Sequence, residues 1–117
     1  MHDYNPGLHI VSTFKYTITD QLDAQHCRLH FDKIISATGL HKVGEVYHEF
    51  DTGGFTAVIC LTESHISIHT WPEHGLATFD VFLSNFNENN SEKAREIYNS
   101  TLVFFDATET NKQEIMR

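Results

Sequence analysis

The strongest constraint on the fold is a block of short strand-like segments in the middle of the chain. Residues 65–70 (HISIHT) alternate strictly, so that the two isoleucines face one way and the histidines and Ser67 face the other. Residues 42–50 and 76–84 also have strand-like patterns. Residues 55–62 are almost continuously apolar, which is typical of a central strand. This block restricts the chain to a fold built around a sheet.

A further strand and a helix are predicted before this block. In residues 8–16, Leu8, Ile10 and Phe14 fall on one face with a period of two, which predicts a strand. Residues 21–38 have an apolar stripe at helical spacing, with Thr19 or Asp20 as the N-terminal cap. Gly39 supplies the C-terminal stop of this helix.

A second helix is predicted after the block, over residues 92–102, with Asn90 or Ser91 as its cap. A short apolar segment, 103–105, follows, and the polar tail from Asp106 is expected to be frayed. The order strand, helix, strands, helix predicts an α+β fold. We expect a two-layer sandwich with two helices on one face of a largely antiparallel sheet.

Composition narrows the class of protein. The 117 residues suit a single domain, and the 40% of apolar residues predict a folded one. A net charge of −8 argues against nucleic-acid binding. Neither a signal peptide nor a bilayer-spanning apolar run is recognised, and Cys27 and Cys60 have no CxxC spacing, so we expect a cytoplasmic protein without a membrane partner. A protomer this small buries more surface by pairing, which favours a homodimer.

Residues 61–75 (LTESHISIHTWPEHG) contain most of the side chains that can do chemistry. Three interpretations of this segment remain open from the residues alone. The first is an ordinary polar strand face. The second is a metal site using His65 and His69, although no nearby cysteine or HExxH pattern supports it, so we expect no metal. The third is nucleophilic chemistry by Ser64 with a histidine base, although Ser64 and His69 have opposite parity on a regular strand.

The sequence ESHISIHTWPEHG at 63–75 closely resembles the ESHLSIHTWPEYG-type signature of the bacterial S-adenosylmethionine decarboxylase proenzyme family. The similarity runs from about Phe50 to Phe82, with weaker matching across most of the chain. The resemblance implies a sandwich whose sheets pack together in a homodimer. It also implies a pyruvoyl-dependent decarboxylase in polyamine (spermidine) biosynthesis that acts through a Schiff base with its substrate.

The resemblance further implies that the chain cleaves itself between Glu63 and Ser64. The products would be a β chain of residues 1–63 and an α chain of residues 64–117, in which Ser64 has become the covalent pyruvoyl group. The Ser64 hydroxyl would attack the Glu63 carbonyl to give an ester, and elimination and hydrolysis would follow. His69 matches the histidine that removes the α-proton, and Thr56 stands where the family has a processing serine.

Four residues are assigned to substrate binding by the same resemblance. Phe50 matches an adenine-stacking phenylalanine, and Glu73 matches a glutamate that holds the ribose hydroxyls. Trp71 and His65 are the other two expected contacts. Each could instead be an ordinary packing or surface residue.

Two departures from the family pattern leave the substrate open. Ser84 replaces the cysteine that returns a proton to the product, and a serine hydroxyl is a far weaker acid than a thiol. The first strand has Lys15 in a segment where the family often has a carboxylate. The expected substrate is S-adenosylmethionine. The alternatives are a basic amino acid, arginine or ornithine, with Asp80 as partner for its distal cation, or a non-catalytic regulatory role.

Overall fold

The computed structural model describes residues 4–86 and 88–117. Within them the chain forms six strands, two α-helices and one short 3₁₀ turn at Pro72–His74. In chain order these elements are β1 (Leu8–Lys15), α1 (Ala24–Ala37), β2 (Lys42–Glu49), β3 (Phe55–Leu61), β4 (Ser64–Trp71), β5 (Leu76–Leu83), α2 (Ser91–Phe105) and β6 (Thr108–Met116).

The six strands form one sheet in the order β2-β3-β4-β5-β1-β6, and every neighbouring pair is antiparallel. Both helices pack on the same face of this sheet, which confirms the predicted α+β fold. No helix in the described part of the chain has the length and apolar character needed to cross a membrane. β4 lies inside the sheet, so the segment with the chemical residues has a hydrogen-bonded neighbour on each side.

The core lies between the helices and one sheet face, which we call the helix face. Period-two patterning sends alternate strand residues to it, and the helices add their apolar stripes. Aromatic rings fill much of the space: Phe79 packs against Phe31 and Tyr98 with ring centroids 6.1 and 5.8 Å apart. Phe14 and Phe105, at 5.2 Å, close the far end.

The opposite sheet face, which we call the open face, is not covered by either helix. Its polar residues come from the alternate positions of the same strands, among them His65, Ser67 and His69. Apolar side chains are exposed there too: Val46 is 68% and Trp71 41% exposed. An uncovered sheet face with exposed apolar side chains is typical of a surface that meets another protein.

The first helix begins later than the sequence predicts. α1 starts at Ala24, and its cap is Asp23, whose Oδ1 accepts a hydrogen bond from the backbone N–H of His26 at 2.9 Å. The predicted caps Thr19 and Asp20 were wrong because Asp23 satisfies the exposed N–H groups of the first turn. The predicted stop is confirmed, since Gly39 adopts φ 74° directly after the helix.

The C-terminal part of the chain is more ordered than predicted. The apolar segment 103–105 is the last turn of α2, and Asp106 ends it with φ 49°. The expected frayed tail is strand β6, which pairs with β1 along its length. Two side-chain contacts tie β6 to α2, from Tyr98 to Glu109 and from Arg95 to Glu114.

Candidate active site

The tight hairpin between β3 and β4 places Glu63 and Ser64 at one end of the sheet. Ser64 has a φ of 147°, in a region that residues with a side chain rarely adopt. Such a backbone conformation costs about 1–3 kcal/mol and persists only where the surrounding structure enforces it. Here the pairing of Ser64 with Leu61 and Leu83 enforces it, so backbone strain is concentrated at the predicted cleavage site.

Both ends of Glu63 are held. Its carbonyl oxygen accepts a hydrogen bond from the backbone N–H of Ser84 at 2.7 Å. Its carboxylate accepts from the backbone N–H of His41 at 3.3 Å and lies 3.1 Å from His41 Nδ1. Burial works against ionisation, but hydrogen bonds from His41 and Thr62 outweigh it and lower the pKa of Glu63 below its usual value. The carbonyl carbon that Ser64 would attack is therefore fixed in place.

Ser84, the residue in the family's cysteine position, lies beside the peptide bond between Glu63 and Ser64. A cleft of about 230 Å3 is lined by Glu63, Ser84 and Asn90, among others. Three of the residues predicted to take part in the chemistry, Glu63, Ser64 and Ser84, therefore lie together at one corner of the sheet. We call this corner the cleavage corner.

The other predicted residues gather at the opposite end of β4. A cleft of about 530 Å3 is lined by Phe50, Thr56, His69, Trp71 and Glu73, among others. The hydroxyl of Thr56 lies 3.0 Å from Nδ1 of His69, so the two residues predicted to act in processing are in contact. An aromatic face and a carboxylate on one cleft suit an adenosine ring and its ribose diol. We call this cleft the histidine cleft.

The cleavage corner and the histidine cleft do not meet within one chain. Ser64 and His69 are the first and sixth residues of β4. Since a strand rises about 3.4 Å per residue, the two are about 17 Å apart. The family resemblance assigned Ser64 and His69 to one reaction, but an extended β4 separates them within a chain.

His65 belongs to neither group. It lies on the open face in a cluster with His9, Ser67 and Asp80. The Nε2 atoms of His9 and His65 lie 2.7 and 3.0 Å from the same oxygen of Asp80, and the hydroxyl of Ser67 donates to the other oxygen. His9, His65 and Asp80 each place a potential metal ligand within 4.8 Å of the others. Sequence reasoning missed His9, which only strand pairing brings beside His65.

The hydrogen bonds of this cluster are self-consistent without a further ligand. Nη1 of Arg117 lies 3.1 Å from Nδ1 of His9, which leaves Nε2–H of His9 to donate to Asp80. Burial works against ionisation of Asp80, but hydrogen bonds from Ser67, His9 and His65 lower its pKa below the usual value. The carboxylate of Asp80 is thus committed within the protein. It is not available for the distal cation of a basic amino acid, as the alternative substrate required.

Lys15, the other departure from the family pattern, lies at the exposed end of β1. Its partner in register is Leu76, which in turn faces Trp71 of β4. The charge therefore stands on the sheet row of Trp71, at the end of the molecule that holds the histidine cleft.

Comparison with known proteins identifies the family. The family model described as S-adenosylmethionine decarboxylase matches residues 9–117. The S-adenosylmethionine decarboxylase proenzyme of Aquifex aeolicus is 43% identical over 77 residues, which are 65% of this chain and 57% of that protein. The proenzyme of Archaeoglobus fulgidus is 35% identical over 94 residues, 79% of this chain and 82% of that one.

A solved structure agrees with the sequence matches. The crystal structure of the adenosylmethionine decarboxylase from Aquifex aeolicus superposes with a TM-score of 0.77 at 28% identity, covering 98% of this chain and 91% of the other. The alignment with the Aquifex proenzyme sequence spans a little over half of that protein, at 57%. The family model nevertheless matches almost the whole of this chain, and the fold is shared. The chain belongs to the S-adenosylmethionine decarboxylase family.

Proposed function

We propose that this chain is a self-cleaving, pyruvoyl-dependent decarboxylase of S-adenosylmethionine. The observation that carries the proposal is the geometry of the cleavage corner. A strained Ser64 follows a Glu63 carbonyl that already accepts a hydrogen bond from a backbone N–H. Strain before cleavage is relieved by cleavage, and a held carbonyl is ready for attack.

Self-cleavage would begin with a shift of the Glu63 acyl group. The hydroxyl oxygen of Ser64 bonds to the Glu63 carbonyl carbon, the C–N bond breaks, and the hydroxyl proton ends on the freed amine. Removal of the α-proton of Ser64 then expels the Glu63 carboxylate and leaves dehydroalanine. Water hydrolyses its imine form to a pyruvoyl group and ammonia. A histidine such as His69 suits the proton removal because its ordinary pKa lies near neutrality.

The residues around Ser64 fit this group, since Ser64 is half-buried at the end of the hairpin and a small cleft opens beside its neighbours Glu63 and Ser84. When formed, the pyruvoyl carbonyl supplies the electron sink that decarboxylation of an amino acid needs. Phe50 and Trp71 offer aromatic faces to an adenine ring, and Glu73 offers a carboxylate to the ribose hydroxyls. Ser84, whose backbone N–H bonds to the Glu63 carbonyl, would return the proton to the product.

A second copy of the chain would complete the site. Because one copy holds the cleavage corner and the histidine cleft about 17 Å apart, His69 does not reach the Ser64 of its own chain. If two open faces pack across a two-fold axis, with their β4 strands opposed, the cleavage corner of each copy meets the histidine cleft of the other. The exposed apolar residues of the open face, such as Val46 and Val58, are suited to that contact.

The biological setting follows from the proposed reaction. Decarboxylated S-adenosylmethionine is the aminopropyl donor of spermidine synthesis, and we infer a cytoplasmic setting for this step. Both cysteines of this chain are free thiols, as a reducing compartment requires.

Intact mass spectrometry of purified protein tests the cleavage. We expect two pieces, 1–63 and 64–117, with the second lighter than a serine-initiated peptide by the mass of ammonia. Ser64→Ala should remain whole and folded, whereas Ser36→Ala, which changes an exposed serine of α1, should process normally. A wild-type chain that stays whole would contradict the proposal.

Substrate is tested separately on the cleaved protein. Release of carbon dioxide from S-adenosylmethionine, arginine, ornithine and lysine should show activity on S-adenosylmethionine alone, because Asp80 is committed to the histidine cluster. Turnover of a basic amino acid in preference to S-adenosylmethionine would overturn the substrate assignment but not the cleavage.

A further inference from the structure

Asn90 stands where a helix cap is expected, yet its side chain makes no capping hydrogen bond to α2. The side chain is turned inward, and Asn90 is only 4% exposed. Its Nδ2 donates to the backbone carbonyl of Ser84 at 2.9 Å. The residue predicted from sequence as a cap therefore serves the loop after β5 instead.

That loop is fastened at several points around Ser84. Asn85 Oδ1 accepts from the backbone N–H of Asn90 at 2.7 Å, and Asn85 Nδ2 donates to the carbonyl of Pro6 at 2.9 Å. The N–H of Ser84 in turn donates to the Glu63 carbonyl. A short series of hydrogen bonds thus leads from Asn90 through Ser84 to the peptide bond proposed to break.

The arrangement is costly as a purely structural device. Among the described residues, no hydrogen-bond donor reaches the buried Oδ1 of Asn90. An unsatisfied buried acceptor costs about 1–3 kcal/mol. A serine or aspartate that capped α2 in the ordinary way would avoid this cost. The position of Asn90 therefore calls for a reason other than helix stability.

We propose that Asn90 is a positioning residue for self-cleavage, and this inference rests on the function proposed above. As the Ser64 hydroxyl adds to the Glu63 carbonyl, the electron pair of the C=O bond moves onto the oxygen. The oxygen becomes negative until the C–N bond breaks. The backbone N–H of Ser84 points at that oxygen. The side-chain amide of Asn90 holds Ser84 in this position by donating a hydrogen bond to the backbone carbonyl of Ser84.

The test compares the rate of self-cleavage in wild type and Asn90→Asp, both freshly translated at pH 7.5. Aspartate has the same size and is a good N-cap, but its carboxylate cannot donate to the Ser84 carbonyl. Loss of a direct donor to an oxyanion costs about 100- to 1,000-fold. For an indirect, positioning effect we expect cleavage to slow by at least about tenfold. Asn89→Ala is the matched control, since Asn89 also precedes α2 but its side-chain oxygen accepts its hydrogen bond from the backbone N–H of Ser91.

Hydroxylamine identifies the step that is affected. It cleaves an accumulated ester but leaves a peptide bond intact under mild conditions. Uncleaved Asn90→Asp should resist hydroxylamine, because it stalls before the acyl shift. His69→Ala should stall after the shift and should therefore be cut at Ser64. If Asn90 acted only on stability, Asn90→Asp and His69→Ala would not differ in their sensitivity to hydroxylamine.

Every result bears on the proposal. Wild-type speed in Asn90→Asp, or cutting of its stalled form by hydroxylamine, would overturn the positioning role while the proposed function stands. Asn90→Ser, another good cap whose side chain is one bond shorter and so withdraws the donor from the Ser84 carbonyl, repeats the measurement, and circular dichroism confirms that each variant is folded. Loss of folding in both variants would make Asn90 purely structural. A wild-type chain that does not cleave itself would end the proposed function and this inference together.

Discussion

At the residue scale, the chemistry of this chain depends on backbone groups as much as on side chains. Ser64 has an unfavourable φ of 147°, and the preceding carbonyl is held by the N–H of Ser84 rather than by a side chain. Replacing cysteine by serine at position 84 leaves that N–H in place. The substitution is therefore compatible with cleavage, while it weakens the acid proposed for proton return.

Ser84→Cys should increase turnover of S-adenosylmethionine. A thiol with an ordinary pKa near 8.5 is a much better proton donor than a hydroxyl, and general acid catalysis contributes about 100- to 10,000-fold where it operates. We expect kcat to rise by at least about tenfold and inactivation by faulty protonation to slow. Steady-state rates and residual activity over many turnovers measure both effects. Ser36→Cys is the control, and an unchanged rate and inactivation in Ser84→Cys would show that position 84 does not return the proton.

At the element scale, the contact between α1 and α2 contains a partly buried histidine, His30. His30 stacks on Phe104 at 4.7 Å and lies 3.0 Å from the hydroxyl of Thr101. Burial, with a smaller contribution from the charge of Lys33, lowers the pKa of His30 to about 4. The folded protein therefore holds this imidazole neutral where the unfolded chain would bind a proton.

Stability should fall as the pH is lowered from about 6.5 to about 4, because only the unfolded chain takes up a proton at His30 in that range. This single group can account for up to about 3 kcal/mol of the loss. His30→Gln should reduce the acid-dependent loss by a comparable amount in urea unfolding at pH 7 and pH 4.5. His48→Gln, at an exposed position of β2, should leave the pH dependence unchanged. An identical profile in His30→Gln and wild type would contradict the assignment.

The other element that departs from expectation is β6, whose nine residues are all exposed. Its backbone pairs with β1 from Leu8 to Lys15, with one irregularity between Thr13 and Phe14. Without β6, one edge of β1 would have unpaired backbone groups.

Hydrogen exchange distinguishes a paired strand from a frayed tail. The amides of residues 108–116 that bond to β1 should exchange far more slowly than those of the 51–54 turn. If the amides of both segments exchanged at the rate of an unfolded chain, residues 108–116 would be a frayed tail, as the sequence predicted, and not a paired strand. The turn serves as the internal reference in the same sample.

At the scale of the whole molecule, the open face decides how the predicted residues can work together. The helix face is filled by the two helices, whereas the open face has exposed Val46, Val58 and Trp71. The proposed pairing of two open faces buries these side chains and joins each cleavage corner to a histidine cleft. A single copy offers no such route, because β4 is extended between them.

Mixed dimers test this pairing. The His69→Ala chain keeps Ser64, and the Ser64→Ala chain keeps His69, so neither alone should form a pyruvoyl group. When the two are expressed together, the His69→Ala chain should be cleaved in mixed dimers, because the other copy supplies the base. Co-expression with the double variant Ser64→Ala/His69→Ala should not restore cleavage. Mixed dimers in which the His69→Ala chain stays whole would show that the base acts within its own chain.

The sequence by itself determined the order of elements and the family. Period-two patterning in 42–84 and helical spacing in 21–38 are local properties, so they predicted β2 to β5 and α1 without knowledge of contacts. The resemblance of segment 63–75 to the family's signature predicted Ser64 and its neighbours as site residues. The structure shares the family's fold, and apart from β6, which the sequence did not predict, the strand and helix bounds differ from those predicted by only a few residues.

Only the tertiary structure decided which residues meet. The pairing of β1 with β5 brought His9 beside Asp80, across 71 positions of sequence, and no local pattern contains that contact. β6 escaped prediction because its polar residues gain order from hydrogen bonds to β1 rather than from burial. The separation of Ser64 from His69, and the turning of Asn90 away from its helix, likewise follow from the sheet's geometry. Spacing along a chain constrains the distance between residues, but packing selects their partners.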